Sequence, residues 1–453
     1  MRGYLLIEVG RFQHWLADFA AGIAAAQAAL TLAQTGGSLA LEAAAHTCLG
    51  LLFVQQGRYR EARPHLAAAM PLLANGQPNR RPASLLPFAT MAANFNAVLG
   101  RAAFGEGDYA AAQQHMARAL QIYREQGDRW EEAQLLSFFG VVSYHLGDIE
   151  TGQRQLETGL QLCRSMDDEL GEATILQNLG GLAAEAGDYV AAQAWFQRHV
   201  KLTHEHGIRQ RESVGLSNLG LVAYYLGRPL EARQHFEAAR VLSREMGDVE
   251  GEGMGLIYLA LLQQQAGDYA AAQTSSQHAL QIAQAQAHRL LIADAWLQLG
   301  HAQGGLHAYE GASAAYQQAI TLQNELGHRH MVMEALAGLT RVAVNRDDAA
   351  QALVYVEEIL AYLAEYTLDG AFDPFQVYLT CYGVLQTYND ARAAAILARA
   401  HTQLISQADK ISDEELRQSF FTNVANHRAI IQAWQRHNET TGRKALGLTA
   451  TAL

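Results

Sequence analysis

The chain has 453 residues, 50% of them hydrophobic and 17% charged, with only 7 prolines. That mixture excludes a largely disordered chain and favours helix, because Ala and unbranched side chains lose little on entering one. A formal net charge of −12 excludes a broad basic face for neutralising phosphates, so no direct nucleic-acid partner is expected.

Three cysteines (Cys48, Cys163 and Cys381) are too few and too far apart for a disulfide framework and fit a reducing compartment. No uninterrupted apolar run is long enough for a membrane span. The first residues lack the cleavage pattern of a signal peptide, so the protein is read as cytoplasmic.

In chain order, Tyr4–Phe12 reads as the end of one helix followed by the Gly-Arg turn of a repeat whose start is missing. This predicts an incomplete repeat over 1–37, with a single helix near 11–34. The segment reads equally as a short capping stretch; the alternative is that the chain is the C-terminal part of a longer regulatory protein, with an NTPase or DNA-binding module upstream. A repeat array follows over 38–365, with helix pairs opening near 38, 88, 129, 169, 209, 249, 289 and 329. Pro71, Pro78, Pro82 and Pro87 predict an exposed loop inserted at 71–87. A degenerate last repeat spans 366–410, its pair opening near 374. Ser412-Asp413-Glu414-Glu415 reads as a capping box that opens a C-terminal capping helix over 411–437. Residues 438–453 are predicted to be a disordered tail.

The array is legible from three registers with one period. Gly107-Asp108-Tyr109, Gly147-Asp148-Ile149, Gly187-Asp188-Tyr189, Gly227-Arg228-Pro229 and Gly267-Asp268-Tyr269 recur every 40 residues. Seven residues ahead of each lies a small residue after Leu or Phe: Gly100, Gly140, Gly180, Gly220, Ala260, and onward to Gly300 and Thr340. The third register marks the junctions, at Gly127, Gly207, Gly247 and Gly327. Each unit therefore reads as two helices separated by a left-handed glycine cap. Ala112, Ala192, Ala232 and Ala272 are placed for close helix crossing. Bulky Met116, Leu156, Phe196, Phe236 and Tyr316 are placed to fill the gap between neighbouring units.

Leu-Gly, a tight Gly-x-Tyr turn, then Ala, a bulky residue and a small one at these offsets resembles the tetratricopeptide repeat. The 40-residue unit is similar to those of kinesin light chains, of spindle-orientation adaptors, and of sensor domains in bacterial signal-transduction NTPases and transcription activators. The resemblance covers roughly residues 38–410. It implies an all-α, right-handed superhelical solenoid of antiparallel helix pairs, with the first helix of each pair lining a concave groove. It also implies a non-catalytic module that binds a peptide or protein segment there. Sensing within a larger protein and passive scaffolding without switching are both consistent with it.

On that groove face fall Arg101, Tyr144, His145, Gln177, Asn178, Asn218, Tyr224, Tyr225, Tyr258, Gln264, His301 and Arg341. Gln265, Asp294 and Glu334 share it. Asn178 and Asn218 precede their small residue by two, where peptide-binding members of the family often place an amide that pairs with a bound backbone. An Asn there can equally bond a neighbouring helix. The tyrosines suit recognition and inter-repeat packing alike.

No P-loop, His-Glu-x-x-His, Cys-x-x-Cys or Gly-x-Ser-x-Gly is present, so neither catalysis nor a cofactor is expected. Gly251, Gly253 and Gly255 have the wrong spacing for a nucleotide loop and read as a close-packed helix start. His199, His204 and His206 are too scattered to hold a metal and read as solvated surface.

Overall fold

The computed structural model describes residues 2–15, 19–74 and 88–445, which are almost entirely helical. The recurrent Gly-Asp phrase explains the alternation. Positive φ recurs every 20 residues, at 107, 127, 147 and so on to 347, closing each helix with a left-handed residue. The Asp that follows caps the next helix. Asp108, Asp148, Asp188 and Asp268 each accept a hydrogen bond from the backbone N–H three residues on. Glycine is replaced at four of the left-handed positions, by Asp167, Ala287, His307 and Asp347. Ala287 (φ 51°) is exposed and has no side-chain group to bond its own backbone. Ala287→Gly is therefore expected to stabilise the chain by about 1 kcal/mol. A thermal unfolding midpoint that does not rise would contradict this.

The chain divides into two compact units, Met1–Asn178 and Leu179–Leu453. The first begins with α1 (Arg2–Trp15) and α2 (Phe19–Gly36). Pairs α3/α4 (Leu39–Gln55, Tyr59–Ala74), α5/α6 (Phe88–Gly105, Tyr109–Gln126) and α7/α8 (Arg129–His145, Ile149–Ser165) follow, then α9 (Glu169–Glu185), which runs across the division.

Two helices thus replace the single one expected at 11–34. Gly10 is not a turn. A Cβ there would lie 3.1 Å from the Gly22 carbonyl and 3.2 Å from the Cys48 sulfur, so this glycine permits close packing of α1 instead. Pro71, expected in a loop, lies inside α4, where buried Ala69 and Leu73 hold the last turn despite its missing N–H. The remainder of the expected loop, 75–87, lies outside the described residues.

The second unit carries α10 (Tyr189–Glu205) and the pairs α11/α12 (Arg209–Tyr225, Pro229–Met246), α13/α14 (Val249–Gln265, Tyr269–Ala285) and α15/α16 (Arg289–Gly305, Tyr309–Leu326). Pairs α17/α18 (Arg329–Asn345, Ala349–Leu363) and α19/α20 (Pro374–Thr387, Arg392–Ala408) complete the series. Helices α21 (Glu414–Asn423) and α22 (Ala425–Ala445) end it. The fold is all-α, a solenoid of consecutively packed helix pairs.

The small position is a socket. A Cβ on Gly180, Gly220 or Gly300 would stand 2.4–2.6 Å from the ring of Phe196, Phe236 or Tyr316, sixteen residues on. Gly100 and Gly140 face Met116 and Leu156 in the same way. The bulky residues therefore seat against the first helix of their own pair, although Tyr316 also reaches Gly338 of the next pair. Where the socket residue is larger, the residue sixteen on is smaller: Ala260 with Ser276, and Thr340 with Val356, all buried. Volume is conserved across the pair.

Gly251, Gly253 and Gly255 open α13 in close contact with Ser243, Leu291 and Arg240. His199 departs from the sequence reading. It is buried, with Nε2 2.9 Å from the Arg211 carbonyl oxygen, whereas His204 lies exposed beside Glu212.

The one capping helix expected over 411–437 is two. Val424 (φ −88°, ψ 118°) is extended and separates α21 from α22. The break is tolerated because buried His427 bonds the Phe420 carbonyl it frees, at 2.9 Å. Helix α22 extends to Ala445, beyond the expected start of the tail at 438, and 446–453 lie outside the described residues. Helix α21 and the turn before it return to earlier turns of their own unit. Ser419 Oγ and Asn423 Nδ2 donate to the Gly227 carbonyl, each at 3.0 Å, and Lys410 Nζ donates to that of Ala186.

Candidate functional site

In the first unit the candidate side chains are tied to neighbouring helices. Asn178 Nδ2 donates to the Ser137 carbonyl (3.0 Å) and hydroxyl (3.1 Å), bonding α9 to α7. His145 stacks on Tyr109 with ring centroids 5.2 Å apart, and Arg101 lies over the Phe138 ring at 5.5 Å. Tyr144 and Gln177 are half-buried. The cavity beside Arg101 has a volume of only about 90 Å³.

In the second unit, Asn218 is half-buried and makes no side-chain hydrogen bond among the described residues. The tyrosines face the chain's own linker between α18 and α19. Tyr225 stacks on Tyr189 (5.1 Å) and its hydroxyl donates to the Phe372 carbonyl at 3.2 Å. Tyr258 stacks on Phe236 and meets the edge of the Phe372 ring. The Phe372 N–H donates to Glu334 Oε2 at 2.9 Å. One linker residue thus has both main-chain groups held by side chains of first helices, α11 and α17.

Beside this clasp lies a cavity of about 540 Å³. Four candidates from the sequence line it: Tyr224, Gln264, His301 and Arg341. Glu334 and Gln265, which share their helix face, line it too. Tyr316, Asp373 and Asn426 also reach it and were not anticipated as site residues. Tyr316 carries the bulky-residue signature of the repeat, and Asp373-Pro374 signals only a helix start. Asn426, on the returning C-terminal helix, has no sequence signal at all.

Arg341 organises the charges. Its Nη2 donates to His301 Nδ1 at 3.0 Å, and the Tyr316 hydroxyl is 2.9 Å from the same nitrogen. Burial, followed by the Arg341 charge, holds His301 well below the usual histidine range. Burial pushes the Glu334 carboxyl up to about 7, against the opposing backbone N–H bonds and the guanidinium. Asp373 is also raised to about 7, by burial and then by the Glu334 charge. The cavity therefore presents neutral imidazole, guanidinium, two carboxyls and several amides, a set suited to holding a polar ligand by hydrogen bonds. Among the described residues, no group of three or more His, Cys, Asp or Glu converges to hold a metal ion. No helix there is long and apolar enough to cross a membrane.

Stacked helix pairs joined by short capped turns, with first helices sharing a cavity-bearing face, define a helical-repeat scaffold. Models of the tetratricopeptide repeat match residues 131–203 and 212–285, and again 293–326. Tetratricopeptide repeats therefore occupy these segments of the chain. Its fold is similar to that of the apo quorum sensor NprR from B. thuringiensis, at 12% identity and a TM-score of 0.56 over 80% of this chain and 97% of that one. It is also similar to aspartyl phosphate phosphatase F from Bacillus subtilis, at 12% identity and a TM-score of 0.54 over 71% of this chain and 85% of that one. No curated protein matches the sequence.

Proposed function

We propose that the chain is a non-catalytic binding module that takes a peptide or protein segment on the first-helix face of its second unit. The observation that carries this is the cavity of about 540 Å³, where Tyr224, Gln264, His301 and Arg341 converge from four first helices. The clasp on Phe372 supports it, because side chains of that face already satisfy both backbone groups of a non-helical segment. A sensor role within a larger regulatory protein, attached to an NTPase or DNA-binding module, is the finer reading. The fold shared with a quorum sensor supports it. The alternative is a passive scaffold.

Capture from source lysate on the immobilised chain tests the reading, with a His301→Ala/Arg341→Ala variant as control. A partner retained by the wild type and lost by a folded variant is expected; equal retention would move the site elsewhere. With that partner bound, a sensor changes its protease sensitivity and a scaffold does not.

A further inference from the structure

We propose that the cavity of the second unit binds a small zwitterion, one molecule carrying both an ammonium and a carboxylate, as a free amino acid or a di- or tripeptide does. The proposal rests on the reading of this cavity as the ligand site and names the chemistry that fits it.

The carboxylate is called for by orphan donors. His301 is 8% exposed, and its Nδ1 receives the Arg341 guanidinium, which can only donate. Nδ1 is therefore the acceptor and the ring proton is on Nε2. That nitrogen is buried and has no hydrogen-bond partner, since Glu334 Oε1 stands 3.7 Å away. Gln265 Nε2, on the same wall, is likewise buried and without an acceptor. Buried donors without acceptors are rare and unfavourable in folded proteins. An anionic oxygen placed beside Arg341 gives them one.

The ammonium is called for by the acids. Glu334 and Asp373 share one guanidinium; Asp373 spends its oxygens on the Gln376 N–H and the Asn426 amide, and Glu334 Oε2 accepts from the Phe372 N–H. Both carboxyls are held near neutrality in pKa by burial, so a cation beside them favours their ionised form. A ligand with only a carboxylate would place a third acid there. One with only an amine would leave His301 and Gln265 unsatisfied. A neutral polyol could bond both walls, but hydrogen bonds to charged partners are about twice as strong. The volume, about 540 Å³, falls within the roughly 300–1,000 Å³ of small-molecule sites.

The test is calorimetric titration of the full chain with each common amino acid and with a panel of alanine-containing dipeptides. N-acetylated and C-amidated forms of the binders follow, with maltose as a neutral probe. At least one zwitterion should bind, and blocking either end should weaken it at least about tenfold, the factor that one charge-assisted bond commands. Whether amino acids or dipeptides bind identifies the source. Arg341→Gln and Glu334→Gln should each abolish binding. Gln265→Ala, which breaks no bond of the fold, should weaken it severalfold with an unchanged melting temperature. Equal binding of a blocked form, binding of maltose alone, or no binding of any zwitterion would overturn the proposal. If every zwitterion fails while lysate capture still depends on His301 and Arg341, the module reading stands and this one falls.

Discussion

Gly220→Thr alone is expected to destabilise the second unit by about 3 kcal/mol, and the double variant with Phe236→Val to lose less than the two single losses summed. A Cβ on Gly220 would lie 2.4 Å from the Phe236 ring, and both residues are buried, so the ring has no free space to enter. Overpacking of this kind commonly costs about 1–3 kcal/mol, occasionally more. Phe236→Val alone removes most of a ring that is fully buried, which costs about 2–4 kcal/mol through the void it leaves. The same chain already contains the combination, since Thr340 and Val356 occupy the equivalent positions in α17/α18. Thr340 there returns its hydroxyl to the Leu336 carbonyl at 2.8 Å, so its polar atom is satisfied inside one helix. The double variant should therefore fall short of the summed single losses by about 1–3 kcal/mol. Hydrogen exchange at amides of α11 and α12 reads the local opening energy directly, without assuming that the array unfolds in one step. Strict additivity would mean that the socket and its filler do not act as one unit.

The same socket shows why the fold was so legible. A repeated pair solves one packing problem many times, so glycine, capping aspartate and bulky residue recur in register. Helix starts such as Arg129, Arg209 and Arg289 fall where the period puts them. Legibility ends where the chain stops repeating. Gly10 looked like a turn glycine because it precedes Arg, as Gly57 does, yet its neighbours on α2 and α3 decide its role. Half of the cavity was visible for the same reason: His301 and Arg341 sit at equivalent places on successive first helices. Asp373 and Asn426 were not, because they meet the cavity through a linker whose bond to Tyr225 spans 147 residues of sequence and a returning helix whose bond to Asp373 spans 53. No local pattern encodes such a contact. Asn178 shows the converse, a residue in the right register whose amide is taken by Ser137.

Asp294→Asn is expected to gain stability relative to the wild type as pH rises from 4 to 7.5, by on the order of 2–4 kcal/mol. Asp294 is 5% exposed on α15, and its Oδ1 accepts from Gln323 Nε2 at 2.7 Å. Burial pushes its carboxyl up to about 7; the Gln323 bond opposes this, the Glu334 charge adds to it, and His288 opposes it. The folded chain thus keeps this proton to about pH 7, whereas the unfolded chain releases it near 4. Across that window the folded state binds more protons, so the contribution of Asp294 to stability is present in acid and lost as pH rises. Asparagine keeps the acceptor for Gln323 and cannot ionise. Comparing variant with wild type at each pH also cancels the buried histidines, His301 and His427, whose lowered pKa values drive stability in the opposite direction. Urea unfolding of the two proteins at several pH values gives the difference. A difference that stays flat would show that Asp294 is already ionised in the fold below pH 5, and that Gln323 and the surrounding dipoles compensate its burial in full.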